Sequence, residues 1–156
     1  MTSRKPVSIC SGARCLHAQR YNLLIPTFTG TLAEGLRKTG QFEEALVTIN
    51  GAIARATNSG VEFDLSELLR IKSQILAARH DRESALNCLT EALAVASAQS
   101  ALAWELRSTM VLARMLSEDG QRDRARHTLA LVYDRFTEGF ETADLKLARA
   151  LLDDLR

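Results

Sequence analysis

Apolar residues recur along the chain at intervals of three and four, in blocks separated by short polar turns. One block runs Phe42, Ala45, Leu46, Ile49, Ala52, Ile53. This is the stripe of an amphipathic helix over about Phe42 to Asn58, closed by Asn58-Ser59-Gly60. A second follows Asp64, with Leu65, Leu68, Leu69, Ile75 and Leu76 predicting a helix to about Arg79. Asp64 is placed to cap its first amides while Glu67, three residues on, reaches back to the cap. Asp81 opens a helix from Arg82 to about Ser97 with Ala85, Leu86, Leu89, Ala92, Leu93 and Ala96 on one face. The next spans roughly Leu102 to Glu118 with Trp104, Leu106, Val111, Leu112, Ala113 and Leu116, and Gly120 ends it. Another, about Arg122 to Thr137, buries Ala125, Leu129, Val132, Tyr133 and Phe136.

The two ends of the chain are patterned differently. Before Gly40 the stripe is short, Leu32, Ala33 and Leu36, within a helix expected over about Tyr21 to Lys38. Pro26 either sits in the first turn of that helix or kinks it. Gly30 and Gly35 weaken it by about 1 kcal/mol each relative to alanine. After Gly139, Thr142 is expected to cap a last helix to about Leu155, with Asp144 near its positive N-terminal dipole. Leu145, Ala148, Leu152 and Leu155 line one side, and Lys146, Arg149, Asp153 and Asp154 make the other polar, a design suited to the end of a stack.

These blocks repeat. Gly40-Gln41-Phe42-Glu43-Glu44-Ala45-Leu46 returns as His80-Asp81-Arg82-Glu83-Ser84-Ala85-Leu86 and as Gly120-Gln121-Arg122-Asp123-Arg124-Ala125-Arg126, with a constant step of 40 residues. Ala45, Ala85 and Ala125 precede Ile49, Leu89 and Leu129 by four residues. On the helices before the turns, Ala33 and Leu36, Ser73 and Leu76, and Ala113 and Leu116 repeat the same pairing. A small residue lets two helices approach, and the large one fills the space beside it. Three helical hairpins and a closing helix make the chain all-α. The domain reading is a basic arm over 1–20 followed by one helical domain over 21–156.

The turn glycine, the following aromatic and the alanine three residues later resemble the tetratricopeptide repeat. That family's unit is nominally about 34 residues, and the 40-residue step implies longer helices or loops. The copies also depart from the pattern: His80 replaces the turn glycine, and Arg82 and Arg122 replace the aromatic. A narrower resemblance covers about Leu32 to Leu155. Leu32-Ala33-Glu34-Gly35-Leu36, Glu67-Leu68-Leu69-Arg70-Ile71-Lys72 and the closing FTEGFETADLKLARALLDDL, Phe136 to Leu155, are similar to the C-terminal repeats of large bacterial multidomain signalling ATPases. The front ends of those proteins are adenylate-cyclase-like or winged-helix domains. The resemblance implies a TPR-like α-solenoid and a partner-holding or regulatory role. The catalytic part of that family is not carried over, since this chain has no GxxxxGK[ST] phosphate loop.

Composition narrows the function classes. The 156 residues are 46% hydrophobic and 25% charged, enough to bury one sizeable core. Two prolines and eight glycines leave little room for a β-sandwich. A net charge of +1 gives no case for nucleic acid. Arg4, Lys5, Arg14 and Arg20 precede the first acidic residue, Glu34. A basic, serine-containing start can be a targeting sequence, but this one has no continuous apolar segment and reads as a disordered arm. No apolar run approaches the ~20 residues that span a bilayer. Cys10, Cys15 and Cys88 are an odd set, which suits reduced thiols in the cytoplasm.

Candidate chemistry is sparse. Cys10, Cys15 and His17 lack the paired spacing and the fourth ligand of a structural zinc site. Cys88 reads as a small buried hydrophobe, and His80 and His127 as surface histidines. Met110 and Met115 read as packing residues, and Trp104 and Tyr133 as core aromatics in preference to interface anchors. No spacing assembles nucleophile, base and oxyanion donors, so the expectation is a non-enzymatic chain without metal or cofactor. In a tetratricopeptide stack the first helix of each hairpin lines the concave groove. That resemblance puts Glu34, Arg37, Lys38, Glu67, Arg70, Gln74, Arg107, Met110 and Arg114 on the groove. Arginines there suit an acidic peptide or a C-terminal carboxylate. The expected function is a scaffold binding a peptide or protein partner. The alternative is a regulatory or oligomerisation segment acting beside a separate ATPase chain. The glycine-weakened first hairpin is the candidate place for pairing with a second copy.

Overall fold

A computed structural model describes residues 27–60 and 62–156, and every regular element among them is helical. The basic arm expected over 1–20, its cysteines and histidine, and Pro26 lie outside the described residues. The helices are α1 over 27–38, α2 Phe42–Ser59, α3 Leu65–Ala78, α4 Arg82–Ala98, α5 Leu102–Glu118, α6 Arg122–Tyr133 and α7 Ala143–Asp154. Among the described residues no helix is long and apolar enough to cross a membrane.

The expected small-and-large alternation is what packs them. Ala33, Ser73 and Ala113 on the first helices are fully buried, as are Ala45, Ala85 and Ala125 on the second. Ile49, Leu89 and Leu129 fill the space one turn beyond. Gly30 serves the same end at the α1–α3 crossing, where a Cβ would come within 2.9 Å of Leu68. Leu32, expected in the buried stripe, is 58% exposed, because α1 turns Gly30 and Ala33 towards α3.

The chain reverses at a left-handed residue about every twenty positions. Gly40, Gly60, Gly120 and Gly139 have positive φ, and so do His80 (63°) and Ser100 (53°). At positions 40, 80, 100 and 120 the following amide bonds back five residues, closing each helix with the same motif. Gln41 donates to Leu36 (2.9 Å), Asp81 to Leu76 (3.0 Å), Ala101 to Ala96 (2.9 Å) and Gln121 to Leu116 (2.9 Å).

From α2 to α7 consecutive helices pack on one another, and in addition α3 touches α5 and α5 touches α7, while Ala33 of α1 shares a core layer with Ala45 and Ile49 of α2. The backbones of α2 and α4, and of α4 and α6, do not approach in the same way. The stack is therefore tighter on the side of the first helices, which forms one continuous face. Core layers follow the stack: Ile49, Leu68 and Ile75 in one, Leu89, Val111 and Met115 in the next, and Leu106, Leu129 and Leu145 towards α7.

Three local expectations are corrected. The Asp64–Glu67 capping box does not form, because Asp64 makes no cap bond and instead accepts the Thr27 hydroxyl. Thr142 makes no side-chain cap either. Helix α6 stops at Tyr133, not Thr137. There the chain tightens into short turns (Phe136 amide to Tyr133 carbonyl, 3.1 Å) that set Phe136 against the core and Arg135 2.6 Å from Glu105.

Candidate functional site

The 40-residue step gives α1, α3 and α5 equivalent rows on their shared face: Thr27, Glu67 and Arg107; Gly30, Arg70 and Met110; Glu34, Gln74 and Arg114. Most of the charge in the first two rows is consumed internally. Arg70 donates from Nε and Nη2 to both Glu67 oxygens, each at 2.9 Å, and from Nη1 to Gln74 Oε1 at 2.8 Å. Arg107 reaches the same Glu67 at 3.3 Å and donates from Nε to Asp144 at 2.7 Å. One carboxylate thus ties α3 to α5, and one arginine ties α5 to α7. Arg70 is only 8% exposed. Burial alone pushes the Glu67 carboxyl up, but the bonds and charges of Arg70 and Arg107 outweigh it and hold it below the usual carboxylate range.

Beyond this network, towards the C-terminal ends of α1, α3 and α5, lies an open cleft of about 500 Å³. Its walls carry Arg37, Arg82 and Arg114 against the single carboxylate of Glu118, with His80 at one edge. Arg82 is occupied: it lies 2.6 Å from Asp119 and 3.4 Å from Glu118, and it donates to the Met115 carbonyl at the end of α5. The Arg37 Nε is buried and has no hydrogen-bond partner among the described residues. Arg114 is exposed on α5, across α3 from it. The negative ends of three helix dipoles converge on this end of the face and favour cations there.

The nine residues expected on the groove therefore separate. Glu67, Arg70, Gln74 and Arg107 form the network; Met110, 6% exposed, belongs to the core. Glu34 and Lys38 form a loose pair at 3.6 Å. Arg37 and Arg114 are the cations left facing a cavity, joined by Gln74 on its wall. Sequence reasoning assigned Asp144 to its helix dipole and missed it as the partner of Arg107. The available signal was opposite charge at positions about one repeat apart. It also missed the exposure of Trp104, which is half-buried and meets Phe63 edge-on at 4.8 Å. Cys88 is half-buried, and burial raises its thiol pKa, leaving it protonated at neutral pH.

Compared with known proteins, the chain matches no family model, no curated protein and no solved structure.

Proposed function

We propose that this chain is a non-enzymatic interaction module, a tetratricopeptide-like α-solenoid of three hairpins and a capping helix. It holds an extended segment of a protein partner along the concave face made by α1, α3 and α5. The observation that carries this reading is the cleft of about 500 Å³, which keeps cations unpaired while the charges beside it are matched. A buried donor without a partner costs about 1–3 kcal/mol, and an incoming acceptor removes that cost. Each of the three helix dipoles opposes an anion here by about 0.3–1 kcal/mol. Each charge-assisted bond from an arginine returns about 1.5–3 kcal/mol, so two bonds decide the sign. The ligand group is an acidic side chain or a C-terminal carboxylate.

The test starts from nonapeptides selected from a random library on the full chain. The Arg37→Gln/Arg114→Gln double variant is expected to bind them at least tenfold more weakly with an unchanged melting temperature. Equal affinity for the two proteins would sink the reading. Arg70 and Arg107 are unsuitable probes because their loss breaks the network between helices.

A further inference from the structure

A second cleft, of about 300 Å³, opens on the same face near the N-terminal ends of α3 and α5. Its charge is the reverse of the first. Glu34, Asp64 and Glu67 line it against Arg107 alone, and Arg107 and Glu67 are already committed to one another and to Asp144 and Arg70. Among the described residues Glu34 has only the exposed Lys38 at 3.6 Å, and Asp64 accepts a hydroxyl. The floor is aliphatic, from Leu68 and Ile71, and one wall is Trp104. The Phe63 ring packed edge-on against Trp104 is 71% exposed, so aromatic surface stands beside the carboxylates. An aliphatic floor, an aromatic wall and loosely held carboxylates together match the stem and head of a lysine or arginine side chain.

Resting on the reading above, we infer that the partner segment is two-signed, with a basic side chain in the Glu34–Asp64–Trp104 cleft. Its acidic group lies at Arg37 and Arg114, about four residues away. The spacing follows from the helices. On α3 the first cleft takes Gln74, Ala77 and Ala78 and the second takes Glu67, Leu68 and Ile71. That offset of about eight residues is roughly 12 Å of helix at 1.5 Å per residue. An extended chain covers about 13 Å in four residues at ~3.3 Å each, which matches that offset.

The same random nonapeptide library, selected on the full wild-type chain, tests this. Enriched peptides are expected to carry Lys or Arg and Asp or Glu three to five positions apart. Selection on Glu34→Gln/Asp64→Asn should lose the basic residue and keep the acidic one; selection on Arg37→Gln/Arg114→Gln should do the reverse. Emission of Trp104, the only tryptophan, should shift on adding a selected peptide. It should not shift with the version whose basic residue is alanine. Acidic residues enriched with no spaced basic residue overturn this inference and leave the anion-binding cleft standing. Peptides with no charge preference overturn both.

Discussion

At position 80 a histidine occupies a backbone conformation that suits glycine, and at position 100 a serine does the same. A left-handed residue with a Cβ costs about 1–2 kcal/mol, of which glycine would recover part after its larger loss of chain entropy. The His80→Gly/Ser100→Gly double variant is therefore expected to gain about 1–2 kcal/mol in urea unfolding with the fold unchanged. A loss of stability would show that these side chains make contacts worth more than the strain. The turn at His80 was legible, since it stands 40 residues from Gly40 and from Gly120. The break between helices around Ser100 was legible too, but the left-handed conformation of Ser100 was not, because nothing in Ser100 marks it and only its repeat equivalent Gly60 does. The small residues were legible for a related reason: at a close crossing the volume of the side chain is the whole signal.

Between helices, charged residues do work that pattern alone assigned to other roles. Arg82 stands where the first copy has Phe42, and it donates to the Met115 carbonyl at the end of α5. Arg122, one repeat on, donates to the Asp154 carbonyl at the end of α7. The change from aromatic to arginine exchanges an apolar contact for a charged donor at the end of the next first helix, a second one at the Met115 carbonyl, which also accepts the Asp119 amide. Glu67 shows how local logic was overridden: a capping role needs one exposed amide, whereas two guanidinium groups offer stronger, charge-assisted bonds. Because its folded-state pKa is depressed, its contribution is complete above the ordinary carboxylate value of about 4.3. It is lost as pH falls below that through the folded value. Glu67→Gln is expected to cost about 2 kcal/mol at pH 7, between an exposed and a fully buried pair. The stability of that variant should also fall less than wild type between pH 5 and 3. Parallel acid-unfolding profiles for the two proteins would remove Glu67 as the hub.

Across the whole molecule, a repeat of 40 residues sets three first helices beside one another and gives their face two clefts of opposite charge. The helices were legible, because periodicity reports which side of a helix is buried. The division of that face into a neutralised centre and two charged ends was not. It depends on which arginine finds a carboxylate on the adjacent helix, a distance that spacing along one helix does not contain. The segment 134–137 was misread for the same reason: it looked helical, but the chain turns there and brings the Phe140 ring to 6.1 Å from that of Tyr133.

The most direct measurement is amide chemical-shift mapping of the full chain titrated with a library-selected nonapeptide. Shifts are expected on α1, α3 and α5, strongest around Arg37 and Arg114 and around Glu34 and Trp104, with α2, α4 and α6 unmoved on their outer sides. Shifts centred on the outer sides of α2, α4 and α6 would contradict the account.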